Sequence, residues 1–374
     1  MSKFKEYYSF DDVLIEPSYS NVIPDEVNVT TNLTSKIILK APFITSAMDT
    51  ITEHKMAIEA ALLGGIGAIH RNLSIDLQCQ EVKKVKDYKV NSNDIVNASI
   101  DSNNNLRVIG AIGIGEEALK RAQELLKLNI DAILIDSSHG HSQNVIDTII
   151  EIKKISPDTE IIAGNIVTKN AAFALLDAGA TSLKVGIGPG SICTTRIVSG
   201  VGVPQLSSIL EVSQVCKEKN SYLIADGGIR CSGDIAKSIA AGADCVMLGS
   251  LIAATDVTPG RIVVINGIKY KMYRGMGSVE AMNNGSSDRY FYTNKKNLVS
   301  QGISSYIKYK GSIDSVIKNL IGGLRSSMGY TGNKKISDMK KKCSFLKVTY
   351  SAMRESHIHS LDSPKKNTEH TNDI

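Results

Sequence analysis

Short apolar segments recur along the chain and predict buried strands. Each segment is four to seven residues long and ends in small or polar residues. The eight segments begin at Phe43, Ile66, Val108, Ala132, Glu160, Ser182, Tyr222 and Cys245. Strands that lack a polar face are typical of parallel sheets that helices cover.

The stretches between these strands have the spacing of amphipathic helices, as in 118–126 and 145–152. Strand therefore alternates with helix, and most strand starts lie about twenty to thirty residues apart, as expected for successive βα units. Eight such units favour an α/β fold built as a parallel (β/α)8 barrel, the TIM barrel, over an open doubly wound sheet.

Three stretches are too long or too polar for simple connections. The stretch 90–106 is polar, whereas 188–205 is dense in glycine. Long loops in a barrel are usually functional or disordered, and the glycine-dense loop favours function. Residues from about 263 to 300 are predicted to form an excursion after the eighth strand, a mobile flap. We expect one catalytic domain over 1–360 and a disordered tail over 361–374.

Composition and charge narrow the class of protein. Of the 374 residues, 42% are hydrophobic, which suffices for one large core. The 43 Lys and Arg residues are nearly balanced by 38 Asp and Glu, and no block of like charges suggests a nucleic-acid partner. No apolar run is long enough to cross a membrane and the first residues do not resemble a signal peptide, so we expect a cytoplasmic protein without membrane contact.

The six cysteines are scattered singly, without a Cys-x-x-Cys pair. They are predicted to be reduced thiols rather than disulfide partners or ligands of a metal. Cys193 differs from the others because it stands in the glycine-dense loop, close to Ser191, Thr194 and Thr195. Such a loop lets a thiol approach a ligand as a nucleophile, although a cysteine that only plugs the barrel mouth fits the same pattern.

Residues at the ends of the predicted strands would meet at one mouth, where barrel enzymes place their active sites. These residues are Ser46, Asp136, Ser137, Asn165, Gly188, Asp226, Gly228, Gly249 and Ser250. Their hydroxyls, carboxylates, amide and glycines indicate a ligand rich in hydroxyl groups. A carboxylate at Asp226 beside the glycines after strands seven and eight is typical of a ribose phosphate site, although tight βα turns alone explain the same residues.

Five segments, in order, resemble one enzyme family. They are S-A-M-D-T-I-T-E from Ser46, G-G-I-G-A-I-H-R-N from Gly64, G-P-G-S-I-C-T-T-R from Gly188, A-D-G-G-I-R from Ala225 and Y-R-G-M-G-S from Tyr273. From about Phe10 to His357 the chain is similar to the family of inosine monophosphate (IMP) dehydrogenases and guanosine monophosphate (GMP) reductases. The segment 283–292 and G-M-G-S at Gly275 resemble the dehydrogenase branch. A reductase and a barrel that only binds nucleotide are the alternatives.

The resemblance implies NAD-dependent oxidation of IMP to xanthosine monophosphate (XMP), the committed step of guanine nucleotide synthesis. Cys193 would attack the purine and become a covalent thioimidate once hydride has left for NAD. Arg289 would then activate water for hydrolysis, with help from Tyr290 and Thr195. Arginine is an unusual base, so charge stabilisation alone is the alternative role for Arg289.

The resemblance also implies which residues bind the ligands. For the nucleotide these are Ser46, Met48, Ser191, Asp226, Gly228, Gly249, Ser250, Tyr273, Gly275, Met276, Gly277 and Gln301. For NAD they are Asp136, Ser137, Ser138 and Asn165. Gln301 departs from many bacterial members, in which glutamate is expected at this position.

A potassium ion and a homotetramer are further implications of the resemblance. The ion would lie among backbone carbonyls of Gly188, Gly190 and Cys193 and a neighbouring subunit's Glu355, Ser356 and His357. Members of the family commonly carry a regulatory pair of cystathionine-β-synthase-type repeats, where this chain has only the short linker 90–106. We therefore expect no allosteric control by such a module.

Overall fold

Eight parallel strands close into a barrel in the computed structural model, which describes residues 4–290 and 298–357. Each strand pairs with the next one along the chain, and the last pairs with the first. All eight strands begin within one residue of the apolar segments identified in the sequence. The predicted (β/α)8 barrel is confirmed.

The elements alternate regularly through the barrel. Three short strands precede it: β1 (Val13–Ile15), β2 (Thr31–Asn32) and β3 (Ile38–Leu39). The barrel strands are β4 (Phe43–Thr45), β5 (Ile66–Ile69), β6 (Val108–Ile112), β7 (Ala132–Asp136), β8 (Ile161–Ile166), β9 (Ser182–Val185), β10 (Tyr222–Asp226) and β11 (Cys245–Leu248). The helices between and around them are α1 (His54–Leu62), α2 (Ile75–Lys86), α3 (Gly115–Lys127), α4 (Gln143–Ile155), α5 (Lys169–Asp177), α6 (Thr195–Ser199), α7 (Gln205–Glu218) and α8 (Ser232–Ala240).

Nearly all residues of the barrel strands are buried, which explains their apolar composition. One apolar cluster, with Ile44, Ile109 and Leu134 among its members, extends to Leu33 and Leu39 around the β2–β3 hairpin. Because that hairpin immediately precedes β4, it covers the end of the barrel where the strands begin. The opposite end, where the strands finish, forms the mouth.

An antiparallel sheet follows the barrel and consists of β12 (Val263–Ile265), β13 (Ile268–Arg274) and β14 (Ser304–Lys308). Asn266 and Gly267 both have positive φ, as in the two-residue turn of a tight hairpin. The excursion predicted over about 263–300 is therefore regular sheet in its first part, and its role as a flap stays a prediction. The remaining elements are α9 (Val279–Ala281), single turns over Met282–Ser286 and Ser287–Tyr290, α10 (Ile313–Tyr330), α11 (Ile336–Lys342), β15 (Phe345–Lys347), which pairs with β1, and α12 (Tyr350–Glu355). The predicted tail over 361–374 lies outside the described residues.

The linker between α2 and β6 is a short ordered crossover at the end of the barrel opposite the mouth. The amide of Ser99 donates to the carbonyl of Ala61 at 2.8 Å, which ties the linker to the end of α1. Further on, a carboxylate oxygen of Asp101 accepts from the amides of Asn103 and Asn105, at 2.8 and 3.0 Å. In the described part of the chain, no helix has the length and apolarity needed to cross a membrane.

Candidate active site

Four polar side chains from adjacent strands form a buried charge cluster at the mouth. The ammonium of Lys184 on β9 lies 2.7 Å from Oδ2 of Asp226 on β10 and 2.9 Å from Oδ1 of Asp136 on β7. Asn165 on β8 donates from Nδ2 to the same Oδ2 of Asp226 at 2.8 Å, and its Oδ1 accepts from Lys184. The cluster therefore holds both carboxylates against one ammonium at the mouth, although their strands, β7 and β10, are separated by β8 and β9.

Lys184 was not among the predicted site residues. It is 1% exposed, and a buried ammonium is tolerated only where anionic or polar partners replace water. Asp136, Asn165 and Asp226 supply those partners. The sequence signal was a single lysine within an otherwise apolar strand segment, S-L-K-V-G-I-G.

The thiol of Cys193 lies in the loop that follows β9, at the side of the mouth. Its S–H donates to Oγ1 of Thr195 at 3.1 Å, and that hydroxyl donates to Oε1 of Gln301 at 3.0 Å. The amide of Thr194 also donates to the Gln301 carbonyl at 3.0 Å, and Cys193 forms an antiparallel bridge with Gly302. The loop is thereby fastened to the segment that leads into β14.

Cys193 differs from the core cysteines in its surroundings. It is partly exposed and lines the cavity at the mouth. Cys216 and Cys245 are buried among apolar side chains, and burial raises the pKa of the Cys216 thiol to about 11. A thiol held neutral in a core is chemically inert, so Cys193 is the better placed of these three to react with a ligand.

Backbone turns and hydroxyls surround the part of the mouth next to β10 and β11. Gly227 and Gly228 have φ values of +90° and +78°, which allow a tight turn directly after Asp226. A Cβ atom on Gly249 would lie 3.1 Å from the hydroxyl oxygen of Tyr273, so glycine keeps this floor open. Burial raises the pKa of Tyr273 to about 12, with a hydrogen bond to Ser191 opposing the shift, so the phenol stays neutral and able to donate.

The turn Ser287–Tyr290 packs against the other side of the mouth. The guanidinium of Arg289 pairs with Oδ2 of Asp136, and the backbone carbonyl of Arg289 accepts from the amide and the hydroxyl of Ser138, at 3.1 and 2.7 Å. Burial lowers the pKa of Arg289, and the nearby charge of Arg71 lowers it further, against the opposing effect of Tyr290. The Tyr290 hydroxyl lies so close to Gly277 that a Cβ atom on this glycine would be 2.6 Å from the hydroxyl oxygen.

A profile of the IMP dehydrogenase / GMP reductase domain matches residues 7–359. The chain belongs to this family. It is 46% identical to the inosine-5'-monophosphate dehydrogenase of Borreliella burgdorferi, over 96% of this chain and 98% of that protein. The inosine-5'-monophosphate dehydrogenase of Cryptosporidium parvum is also 46% identical, over 96% of each chain. That of Aquifex aeolicus is 38% identical, again over 96% of each.

Family members differ in length. The alignment with the Aquifex aeolicus protein runs over 472 residues, more than the whole of this 374-residue chain, so that relative contains segments that this chain lacks. The alignments with the Borreliella burgdorferi and Cryptosporidium parvum proteins run over only 396 and 387 residues. The chain thus resembles these shorter members of the IMP dehydrogenase / GMP reductase family in size.

Most residues that the family resemblance suggested line one cavity at the mouth. They are Ser46, Met48, Asp136, Ser138, Asn165, Gly188, Gly190, Ser191, Cys193, Thr195, Asp226, Gly228, Gly249, Ser250, Tyr273, Gly275, Met276, Gly277, Arg289, Tyr290 and Gln301. Ser137 is placed differently: it is 2% exposed, and its hydroxyl bonds to the backbone of His139. Glu355, Ser356 and His357 lie exposed at the end of α12 and do not line this cavity.

Proposed function

We propose that the chain is an NAD-dependent IMP dehydrogenase that converts IMP to XMP through a covalent bond to Cys193. One observation carries the proposal: the Cys193 thiol, the Asp226 carboxylate and the Arg289 guanidinium line one cavity in a member of the IMP dehydrogenase / GMP reductase family. The related proteins named above as inosine-5'-monophosphate dehydrogenases support the same reaction.

The nucleotide would lie between β10, β11 and the Cys193 loop. Asp226 would accept hydrogen bonds from the ribose hydroxyls. Lys184 and Asn165 both contact its Oδ2 atom and so hold the carboxylate in place for this role. Ser191, Gly228, Gly249, Ser250 and Tyr273 would bind the phosphate. Ser46, Met48, Gly275, Met276, Gly277 and Gln301 would surround the ribose and the purine.

Cys193 would act first. Its thiolate adds to C2 of the purine, the hydrogen on C2 leaves as hydride, and the adduct becomes a thioimidate. The Thr195 hydroxyl, which accepts from the thiol in this structure, can donate a hydrogen bond to the thiolate once the thiol proton has passed to solvent. NAD, when bound, supplies the hydride acceptor.

Asp136, Ser138 and Asn165 would hold NAD, with Ser137 behind them. The donor set fits, because a carboxylate and hydroxyls are the groups that recognise a ribose diol. In this structure, however, Arg289 contacts two of these residues: its guanidinium pairs with Asp136, and its backbone carbonyl accepts from the Ser138 hydroxyl. The turn Ser287–Tyr290 and the cofactor would therefore use the same residues in alternation, which is the behaviour expected of a flap.

Arg289, Tyr290 and Thr195 would promote hydrolysis once the cofactor has left. Water attacks the thioimidate carbon, the thiolate of Cys193 is expelled, and the proton of the water passes to the chain. Burial lowers the pKa of Arg289, which supports the role of base, whereas the Asp136 carboxylate that pairs with it in this structure acts in the opposite direction.

A potassium ion would be held by carbonyls of Gly188, Gly190 and Cys193, with a neighbouring subunit's Glu355, Ser356 and His357 completing the site of a homotetramer. The Gly190 carbonyl oxygen accepts a hydrogen bond from the Cys193 amide at 3.1 Å. Its second lone pair remains available, so this oxygen can also coordinate the ion. If K⁺ activates, the steady-state rate should change when K⁺ replaces Li⁺, and Glu355→Gln should weaken that dependence on K⁺. If the rate does not change, or if the variant depends on K⁺ as the parent does, this part of the proposal is refuted.

The absorbance of reduced nicotinamide tests the function directly. With IMP and NAD the protein should form NADH and XMP in equal amounts. Loss of NADPH in the presence of GMP, with release of ammonia, would identify a reductase instead. Nucleotide binding without either change would identify a barrel that only binds nucleotide.

A further inference from the structure

We propose that Arg71 is a positioning residue: through Asp288 it holds the turn Ser287–Tyr290 against the mouth and so places Arg289 at Asp136. This inference rests on the proposed function for its kinetic consequence. Its structural part concerns only the docking of the turn.

The contact is a two-oxygen ion pair between distant parts of the chain. Arg71 is the second residue after β5, at the mouth, and its Nη1 atom lies 2.8 Å from Oδ1 and 2.9 Å from Oδ2 of Asp288. The Arg71 side chain is 8% exposed, whereas that of Asp288 is 40% exposed. The fixed partner of the pair therefore belongs to the barrel, and the more exposed partner belongs to the turn.

The barrel leaves room for this pair at Gly113, in the loop after β6. A Cβ atom on Gly113 would lie 2.5 Å from Oδ2 of Asp288 and 3.0 Å from Nη1 of Arg71. Any side chain at position 113 would thus collide with the ion pair. The close approach indicates that the Asp288 carboxylate packs in a depression formed by Gly113 and Arg71 rather than against an open surface.

The Arg71–Asp288 pair differs from the other anchors of the turn in one respect. Asp136 and Ser138 bind Arg289 and are also the residues that we propose for the cofactor. Arg71 and Asp288 do not line the cavity, so the pair stabilises the docked turn without competing for the cofactor's own contacts. The strength of this pair can therefore set the equilibrium between the docked turn, with Arg289 at Asp136, and the bound cofactor.

The charge of Arg71 is also felt by Arg289. Burial is the largest cause of the lowered pKa of Arg289, and the positive charge of Arg71 adds to it. The same residue that seats the turn therefore favours the neutral form of the proposed base.

Kinetic partitioning tests the positioning role. Rapid mixing with IMP and NAD gives the rate of the first NADH burst, and the steady-state rate reports hydrolysis when that step is limiting. Arg71→Gln and Asp288→Asn should each leave the burst rate within about twofold and lower the steady-state rate about tenfold, since a charge-assisted contact of this kind is lost. The apparent KM for NAD should not rise. General damage would instead slow the burst as well.

A double variant and a control variant separate coupling from lost stability. Because Arg71 and Asp288 act on each other, Arg71→Gln combined with Asp288→Asn should be no slower than the slower single variant, whereas independent effects would multiply. Arg107→Gln removes another largely buried arginine, paired with Asp131 at the opposite end of the barrel. It should leave the ratio of burst rate to steady-state rate unchanged.

Docking can also be measured without catalysis, because the chain contains no tryptophan. A single tryptophan placed at the exposed Asn284 should show high fluorescence anisotropy in the parent protein and lower anisotropy with either Arg71→Gln or Asp288→Asn. Unchanged anisotropy overturns the inference, as does a fall in anisotropy without the change in kinetic partitioning. If Arg71→Gln does not fold, Asp288→Asn on the exposed turn tests the same contact. A parent protein that forms no NADH refutes the proposed function and the positioning of Arg289 for it, while anisotropy then decides separately whether Arg71 seats the turn.

Discussion

Arg289 pairs with Oδ2 of Asp136, the carboxylate that we propose for the nicotinamide ribose. The other oxygen of Asp136 lies 2.9 Å from the Lys184 ammonium, and Lys184 also contacts Asp226. A chain of alternating charges thus runs from the turn Ser287–Tyr290 to the proposed nucleotide site. It joins the two halves of the proposed reaction through buried side chains.

Removal of the nucleophile should abolish oxidation and spare binding. Cys193→Ala should bind IMP with an affinity within a few-fold of the parent, since the phosphate and ribose contacts remain, and NADH formation should fall by about a thousandfold or more. Calorimetry and NADH absorbance measure the two properties. Cys79→Ala, on helix α2 and away from the cavity, is the matched control. Ordinary turnover by Cys193→Ala would refute covalent catalysis.

Removal of the proposed base should affect the second half of the reaction. Arg289→Ala should keep the NADH burst and slow steady-state turnover by about 10²- to 10⁴-fold, the usual contribution of a general base. Mass spectrometry of the quenched protein should then show the purine bound to Cys193. Arg261→Ala, at an exposed position before β12, should behave like the parent. If the burst is lost together with turnover, Arg289 acts before hydrolysis.

The pH dependence of turnover distinguishes the two roles of Arg289. Burial, followed by the charge of Arg71, lowers the pKa of this guanidinium, so its neutral fraction at a given pH is larger than that of a solvated arginine, and this fraction grows as the pH rises. If neutral Arg289 is the base, the steady-state rate should increase between about pH 7 and 10 while the burst rate does not follow it. Arg289→Gln should lose the increase. A profile that is flat in the parent would indicate charge stabilisation.

The buried ammonium at the centre of the cluster should be essential for folding stability. Lys184→Met leaves Asp136 and Asp226 without their shared cation, and breaking such a buried arrangement typically costs about 3–5 kcal/mol. Urea unfolding at neutral pH measures the loss. Lys169→Met, which removes a surface contact with Gln214, is expected to change the free energy of unfolding by less than about 0.5 kcal/mol. Equal stability of both variants would show that the cluster contributes little to stability.

The barrel could be predicted from the sequence because its strands are buried on both faces and carry their pattern locally. The cavity residues followed from family motifs that lie at strand ends, as Asp226 and Gly249 do. Lys184 was missed since the partners that neutralise it lie on three other strands, and one lysine in an apolar segment does not reveal them. Arg71 was missed for the same reason: Asp288 is 217 residues away in the chain, so only the closed barrel brings the two charges together.

The crossover from α2 to β6 has a practical consequence. Its tip is the exposed turn 102–104, in which Asn104 has a left-handed φ of 62°, and this turn faces away from the mouth. Extra polypeptide added there would project from the far side of the molecule, where neither nucleotide nor cofactor has to pass. The turn is thus a suitable insertion site. A reporter domain inserted after Asn103 would leave the reacting groups undisturbed. Longer relatives likewise contain additional segments within the same enzyme family.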